Sequence, residues 1–207
     1  MHRRNLILSG LAASAAGACA TAPAQQPRPA YGVEPGQGGP AGTAPPAYTR
    51  EELVAAGANF MGVTAEALGG AIERIFSDYG DAPTAYIAGE EGAGAAGVGL
   101  RYGRGLLYMK SEREPREVYW QGISIGWDVG GNVSRVFTLV YYLYQPEMIY
   151  RRYPGVEGSA YLIGGLGVNY QQADGIVLAP IRTGVGLRLG ANIGTMSYSR
   201  QRNPLPF

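Results

Sequence analysis

The sequence predicts a mainly β protein: a small antiparallel β-barrel of about nine or ten strands, with one or two N-terminal helices packed on it or plugging it. Three observations predict this fold. Glycine recurs at alternate positions, turn signals separate the apolar runs after Pro83, and the helical pattern is confined to residues before 81. Consecutive strands joined by short turns form an antiparallel meander, and closing the sheet removes its reactive edges.

The glycine pattern is the most informative of the three. The heptad Gly-Val-Gly-Leu-Arg-x-Gly occurs at residues 97–103 and again at 184–190. Because side chains alternate between the two faces of a strand, glycine and arginine share one face while apolar side chains share the other. Glycine weakens a strand interior, so its repetition indicates a tight bend of a closing sheet, or the close approach of another backbone or a ligand.

The predicted strands all follow Pro83. They are residues 85–89, 93–102, 105–110, 117–129, 133–144, 159–171, 176–181, 183–191 and 194–199. Hairpin signals lie at Gly103-Arg104, at 130–132 and at Asp174-Gly175, and residues 145–155 form a longer excursion. The stretch 136–143 is apolar on both faces apart from Thr138, so we expect it to be covered on both sides.

Two helical signals precede the strands. Thr49 and Glu52 have the spacing of a capping box for a short first helix. A stronger helix begins after Thr64 and ends at Gly80, and its apolar stripe consists of Leu68, Ile72, Ile75, Phe76 and Tyr79. Because its other face carries acids and no basic belt, the stripe is predicted to pack on the sheet rather than on a membrane.

The N-terminus is typical of a secretory signal peptide, with a basic region at 2–4, an apolar stretch at 6–18 and a cleavage site after Ala20. The expected organisation is a signal peptide (1–20), a disordered Pro/Gly/Ala-rich tether (21–47) and a single helix-plus-barrel domain (48–207). We expect a periplasmic protein. The Sec route is favoured over the twin-arginine route that Arg3-Arg4 suggests, and over a lipoprotein anchored at Cys19.

The composition excludes several functional classes. The only histidine and the only cysteine, His2 and Cys19, lie in the predicted signal peptide, so the mature chain has no imidazole or thiol for disulfides, zinc, haem or a catalytic triad. A formal net charge of +1 leaves no basic footprint for nucleic acid. We expect no cofactor, no metal and, after signal removal, no transmembrane helix, since that requires ~20 apolar residues.

One candidate cluster lies on the glycine-rich strand faces, where Arg101, Asp128 and Arg188 have room for long side chains. It is either a cross-strand ion pair that neutralises Asp128 within the wall or a site for an anionic headgroup. Trp127, on the opposite face to Asp128, is a candidate for filling the barrel.

A second candidate group lies in the excursion, where Tyr150, Arg151, Arg152 and Tyr153 are consecutive. The four residues form either a surface that contacts lipid or glycan, or ordinary solvated loop charge.

An enzyme is not expected, and no catalytic residue is assigned. The carboxylates Glu90-Glu91 and Glu112 with Glu114 are predicted to lie in loops, and Asp128 is the carboxylate embedded in an apolar strand. A hydrolase would need two carboxylates that converge.

Three motifs resemble one known family. They are Tyr-Trp-Gln-Gly-x-Ser-Ile-Gly-x-Asp at 119–128, Gly-Ser-Ala-Tyr at 158–161 and Pro-Ile-Arg-Thr-Gly-Val-Gly-Leu-Arg-Leu-Gly-Ala-Asn at 180–192. Over about residues 60–207 the chain resembles the envelope-integrity protein A family of alphaproteobacteria, although residues 196–198 depart from its usual last strand. The resemblance implies a periplasmic barrel with an apolar interior, required for envelope integrity and without an assigned reaction. The glycine-patterned strands are also distantly similar to SYLF-type lipid-binding domains.

The leading hypothesis is a non-enzymatic periplasmic protein that supports envelope integrity by binding or shielding an amphiphile, either a lipid or a lipid-linked glycan. The alternative is a solid-cored adaptor that docks envelope-biogenesis proteins, and a third is a carboxylate-dependent hydrolase. The interior distinguishes them. An open apolar lumen supports the first, a lumen filled by Trp127, Phe137 and the helix supports the second, and paired carboxylates in a cleft support the third.

Overall fold

The computed structural model describes residues 46–95, 99–124, 132–156, 159–183 and 194–203. In this part of the chain, helices α1 (Arg50–Met61) and α2 (Ala65–Tyr79) precede ten strands, and a 3-10 turn at Pro146–Ile149 lies between the fourth and fifth strands. The strands are β1 Ala85–Ala95, β2 Gly99–Met109, β3 Arg116–Ser124, β4 Asn132–Tyr141, β5 Arg152–Pro154, β6 Tyr161–Ile163, β7 Leu166–Val168, β8 Gln171–Ala173, β9 Ile176–Arg182 and β10 Thr195–Ser199.

Both helices begin where their caps predict. At Thr49 the capping box is complete: the Glu52 amide donates to Thr49 Oγ1 at 3.3 Å, and the Thr49 amide donates to Glu52 Oε2 at 3.0 Å. The second helix starts after Thr64, whose Oγ1 accepts from the Ala67 amide at 3.2 Å. These side chains satisfy backbone donors that a helix start otherwise leaves unpaired.

The strands form one antiparallel sheet in the order β5-β10-β3-β2-β1-β4-β9-β7-β6, with β8 also paired to β9. A bridge between Gly155 and Gln171 joins the end of β5 to β8, and the Val156 amide donates to the Tyr170 carbonyl at 2.9 Å. The path therefore returns to its start, and the sheet is barrel-like. The predicted antiparallel barrel with N-terminal helices is confirmed.

Two predicted breaks in the strands are wrong. The first strand runs without interruption through Glu90 and Glu91, and the second runs through Gly103 and Arg104, which pair with those two acids. Because β1 lies between β2 and β4 and pairs with both, the ladder holds residues that favour a turn in isolation. The turn at Asp174-Gly175 is confirmed, with φ of +47° and +80°.

The single strand predicted at 159–171 is also divided. Gly164 and Gly165, with φ of +57° and +80°, turn the chain between β6 and β7, and β8 follows separately. Glycine adopts positive φ at no steric cost, so this pair ends the strand.

Two apolar cores lie on opposite faces of the sheet. The inner core takes side chains from strands around the ring, including Ile87, Leu107, Val118, Trp120, Val136, Val140, Tyr153, Leu178, Met196 and Tyr198, each at most 4% exposed. The outer core lies between the helices and β4 and β9, and includes Leu53, Leu68, Ile72, Ile75, Phe137, Leu139, Tyr141, Val177 and Ile181.

The fourth strand contributes to both cores because its side chains alternate. Val136 and Val140 belong to the inner core, whereas Phe137, Leu139 and Tyr141 belong to the outer core. The strand is thus covered on both sides, as expected. The helices cover the barrel from outside and do not plug it, so Phe137 does not fill the lumen.

Two tyrosine hydroxyls anchor α2 to the sheet. The Tyr170 hydroxyl donates to Asp78 Oδ2 at 2.7 Å, and the Tyr141 hydroxyl donates to the Gly80 carbonyl at 3.0 Å. The second bond satisfies a carbonyl at the C-terminal end of the helix.

Replacing Leu139 with alanine should lower the free energy of unfolding by about 2–5 kcal/mol, because the side chain is fully buried beneath the helices. Leu106→Ala is the matched control: this leucine, in β2, is 38% exposed, and its loss should be within about 1 kcal/mol. Urea unfolding measures both. Equal losses would contradict the two-faced core.

Candidate functional site

The barrel interior contains an ion cluster that we name the Glu91 cluster: Glu91, Arg101, Arg182 and Trp120. Strand alternation places these residues on the inner face, since Glu91 follows Ile87 by four residues in β1 and the others lie in β2, β9 and β3. Glu91 is 1% exposed and is the only carboxylate among the buried side chains of the described residues.

Three side chains donate to the Glu91 carboxylate. Arg101 Nη1 lies 2.9 Å and Arg182 Nε 3.0 Å from Oε1, while Trp120 Nε1 lies 2.9 Å and Arg182 Nη2 3.4 Å from Oε2. Arg182 Nη1 also donates to Asn169 Oδ1 at 2.5 Å. The carboxylate therefore joins four strands from its position in β1.

Burial alone would raise the pKa of Glu91. The positive charges of Arg182 and Arg101, with the hydrogen bonds from Arg182 and Trp120, outweigh burial and hold this pKa below its ordinary value. The carboxylate is thus ionised at neutral pH, and the two arginines compensate its negative charge. A base or nucleophile needs a free lone pair and access to substrate, whereas Glu91 is buried and both of its oxygens accept hydrogen bonds.

The glycines of β1 and β2 make room for the Trp120 indole. A Cβ atom added at Gly103 would lie 2.1 Å from Trp120 Cε2, and one added at Gly89 would lie 2.7 Å from its Cη2. The indole therefore rests on bare backbone, where its Nε1 reaches Glu91. The close approach that the glycine pattern predicts is made, at this place, by the protein's own tryptophan.

Arg101 is the predicted candidate that the structure places in the cluster, and its described ion pair is with Glu91. Asp128, Arg188 and Trp127 lie outside the described residues. Sequence reasoning missed Glu91, Arg182 and Trp120. The sequence predicts a loop at Glu91, although the even spacing of this residue from Ala85 and Ile87 continues the inner face of β1.

The four residues of the excursion do not share one surface. Tyr153 is fully buried in the inner core, so it belongs neither to a surface that contacts lipid or glycan nor to a solvated loop. Arg151 pairs with Asp174, Nη1 to Oδ2, at 2.5 Å, and Arg200 lies over the Tyr150 ring at 5.0 Å. Arg152 is exposed.

The outer face of β1, β2 and β3 carries a groove of about 430 Å³, which we name the wall groove. The residues that define it are Glu90, Tyr102, Arg104, Tyr119, Gln121 and Arg202. Its size is within the range of small-ligand sites. Within the described residues no group of acidic, histidine or cysteine side chains could hold a metal ion.

These features define a small β-barrel-like protein whose outer wall carries two helices and whose buried charges are neutralised internally. The model of the family described as envelope integrity protein A matches residues 46–207. The chain belongs to that family, as the three motifs predict, and this membership supports a role in the cell envelope.

A solved structure has the same fold. The crystal structure of a β-barrel-like, uncharacterized protein from Brucella abortus is 48% identical and covers 78% of this chain and 99% of that one, with a TM-score of 0.69. No curated protein matches the chain. The helices in the described part of the chain are too short or too polar to cross a membrane.

Glu91→Gln should destabilise the protein by about 3–5 kcal/mol at neutral pH, because the buried Arg182 guanidinium loses its described counter-charge and Arg101 loses an ion-pair partner. The adjacent Glu90→Gln is the matched control: the exposed Glu90 should give a change within about 0.5 kcal/mol. Denaturant unfolding of both variants measures the difference.

The pH dependence of stability also tests the ionisation of Glu91. Because the folded pKa of Glu91 is lowered, its stabilisation is complete above the ordinary value of 4.5 and is lost as pH falls through the lower folded value. Stability should therefore decline less steeply below about pH 4.5 in Glu91→Gln than in the parent. Parallel profiles would show that folding does not lower the pKa of Glu91.

Gly103→Ala should destabilise by about 1–3 kcal/mol, because its methyl group overlaps an indole that the Glu91 bond holds in place. Gly92→Ala, in the neighbouring strand, is the matched control. A Cβ there meets only the Tyr102 carbonyl oxygen, at 3.9 Å, so this variant should be neutral or more stable by up to about 1 kcal/mol. Thermal unfolding tests the pair, and similar melting temperatures would show that the indole does not depend on bare backbone.

Proposed function

We propose that this protein is a non-enzymatic periplasmic adaptor that supports envelope integrity through the outer surface of a solid-cored barrel. The periplasmic part of the proposal rests on the signal-like sequence at residues 1–20. The envelope part rests on family membership. The adaptor part rests on how the barrel interior is filled.

The packed inner core is the observation that carries the proposal. Side chains from β1, β2, β3, β4, β5, β9 and β10 meet inside the ring, and the largest of them, Trp120, Tyr153 and Tyr198, are at most 4% exposed. An acyl chain needs a continuous apolar space, and close-packed side chains leave none at this level of the barrel.

The Glu91 cluster adds a second obstacle to an apolar guest. It continues the inner face beyond Ile87, so a lipid chain lying in the barrel would meet buried charges that are already paired. Displacing either arginine would leave a buried carboxylate under-compensated, which is strongly unfavourable. An amphiphile, either a lipid or a lipid-linked glycan, would therefore bind on the wall rather than in this part of the lumen.

The non-enzymatic part of the proposal rests on the state of the Glu91 carboxylate. Glycoside hydrolysis requires two carboxylates about 5–9.5 Å apart, one of them able to give or take a proton. In the described interior, Glu91 is held ionised by two arginines and an indole. Its charge serves to join strands.

Native mass spectrometry of protein purified without detergent tests the solid core. The expected result is the mass of the polypeptide alone, before and after incubation with a total lipid extract, and no lipid in an organic extract of the sample. Val118→Ala, which shortens a fully buried inner-core side chain, should also remain lipid-free if still folded. A lipid retained at one per chain by the parent protein would overturn the solid-core proposal.

A further inference from the structure

The wall groove crosses three strands in two rows fixed by the sheet register. In one row Gly92 of β1 pairs with Tyr102 of β2, which pairs with Gln121 of β3. In the next row Glu90 pairs with Arg104, which pairs with Tyr119. The helices pack on β4 and β9 and leave this face uncovered.

Gly92 lines the groove and leaves open space there because it has no side chain. A Cβ atom at Gly92 would meet one atom within 4 Å, the Tyr102 carbonyl oxygen at 3.9 Å, so the space above it is open. Gly92 differs in this respect from Gly89 and Gly103, where Trp120 occupies the space.

Two tyrosine rings form the flat part of the lining. The Tyr119 hydroxyl donates to Glu117 Oε1 at 2.7 Å, which fixes the orientation of its ring. Tyr102 and Tyr119 are diagonal neighbours on adjacent strands, and such pairs lie about 7–8 Å apart. Aromatic rings bury the apolar C–H faces of a ligand while its edges remain free for hydrogen bonds.

Two guanidinium groups stand beside these rings. Arg104 lies opposite Tyr119 in the ladder, and Arg202 lines the same groove. Within the described residues, the guanidinium groups of Arg104 and Arg202 form no hydrogen bond or ion pair with another side chain. Arginine matches the paired oxygens of a carboxylate or phosphate, and these two are available for one.

We propose that the wall groove binds a short anionic saccharide, with sugar rings against Tyr102 and Tyr119 and a carboxylate or phosphate against Arg104 and Arg202. Glu90 and Gln121, the latter only 3% exposed, also line the groove, and carboxylate and amide groups suit sugar hydroxyls. An acyl chain fits this lining poorly, because it would desolvate several charged groups without pairing them.

The proposal is independent of the adaptor role, since a groove on the wall is compatible with a filled or an open barrel. Calorimetry on the folded protein tests it with four probes: trigalacturonic acid, glucose 1-phosphate, neutral maltotriose and inorganic phosphate. At least one charged sugar should bind tenfold or more tightly than both maltotriose and phosphate. Tighter binding of trigalacturonic acid would identify the anionic group as a carboxylate, and tighter binding of glucose 1-phosphate would identify it as a phosphate.

Two variants locate the binding. Arg104→Ala should weaken it about tenfold, whereas Arg113→Ala, an exposed charge outside the groove, should leave it within about twofold. Gly92→Phe places a ring in open space, so it should abolish binding while the melting temperature stays close to that of the parent. Binding should also weaken as salt rises, because both arginines are exposed.

The outcomes that overturn the proposal are specific. Charged sugars that bind no better than maltotriose exclude an anionic site. Phosphate that binds as tightly as both sugars excludes a saccharide site. Binding that survives both Arg104→Ala and Gly92→Phe lies elsewhere on the protein.

Discussion

The carboxylate of Glu91 is the point on which the inner architecture depends. It accepts hydrogen bonds from side chains of β2, β3 and β9 while it belongs to β1, so one anion connects four strands of the ring. One of its donors, Arg182, is a buried cation whose described counter-charge is Glu91. The glycines of β1 and β2 are part of the same arrangement, because the indole that reaches Glu91 lies on their backbone.

Such a cluster contributes more to specificity than to net stability. Removing ions from water offsets much of their attraction, so apolar side chains of similar volume often stabilise a core as well. A strand that slipped by one residue, however, would turn Glu91 towards solvent and an outward side chain towards the two arginines. In glycine-rich strands, whose few side chains define register weakly, the cluster selects one pairing.

The fold could be predicted further from the sequence than the site could. Helix caps at Thr49 and Thr64 and the two-faced apolar stretch at 136–143 depend on local chemistry, and each has the predicted structure. Glu91 could not be placed in the same way. Two adjacent acids beside glycine indicate a loop unless two arginines from distant strands are known to meet them, and that contact spans up to 91 residues of chain.

The closure at Gly155 and Gln171 differs in kind from the rest of the ring. The first two strands share eleven paired positions, whereas in the described residues β5 and β8 meet through a single bridge and the bond between Val156 and Tyr170. Local opening follows the seam with the fewest bonds. Transient breathing of this barrel should begin there, so amide protons at the seam exchange with solvent well before those of the central ladder.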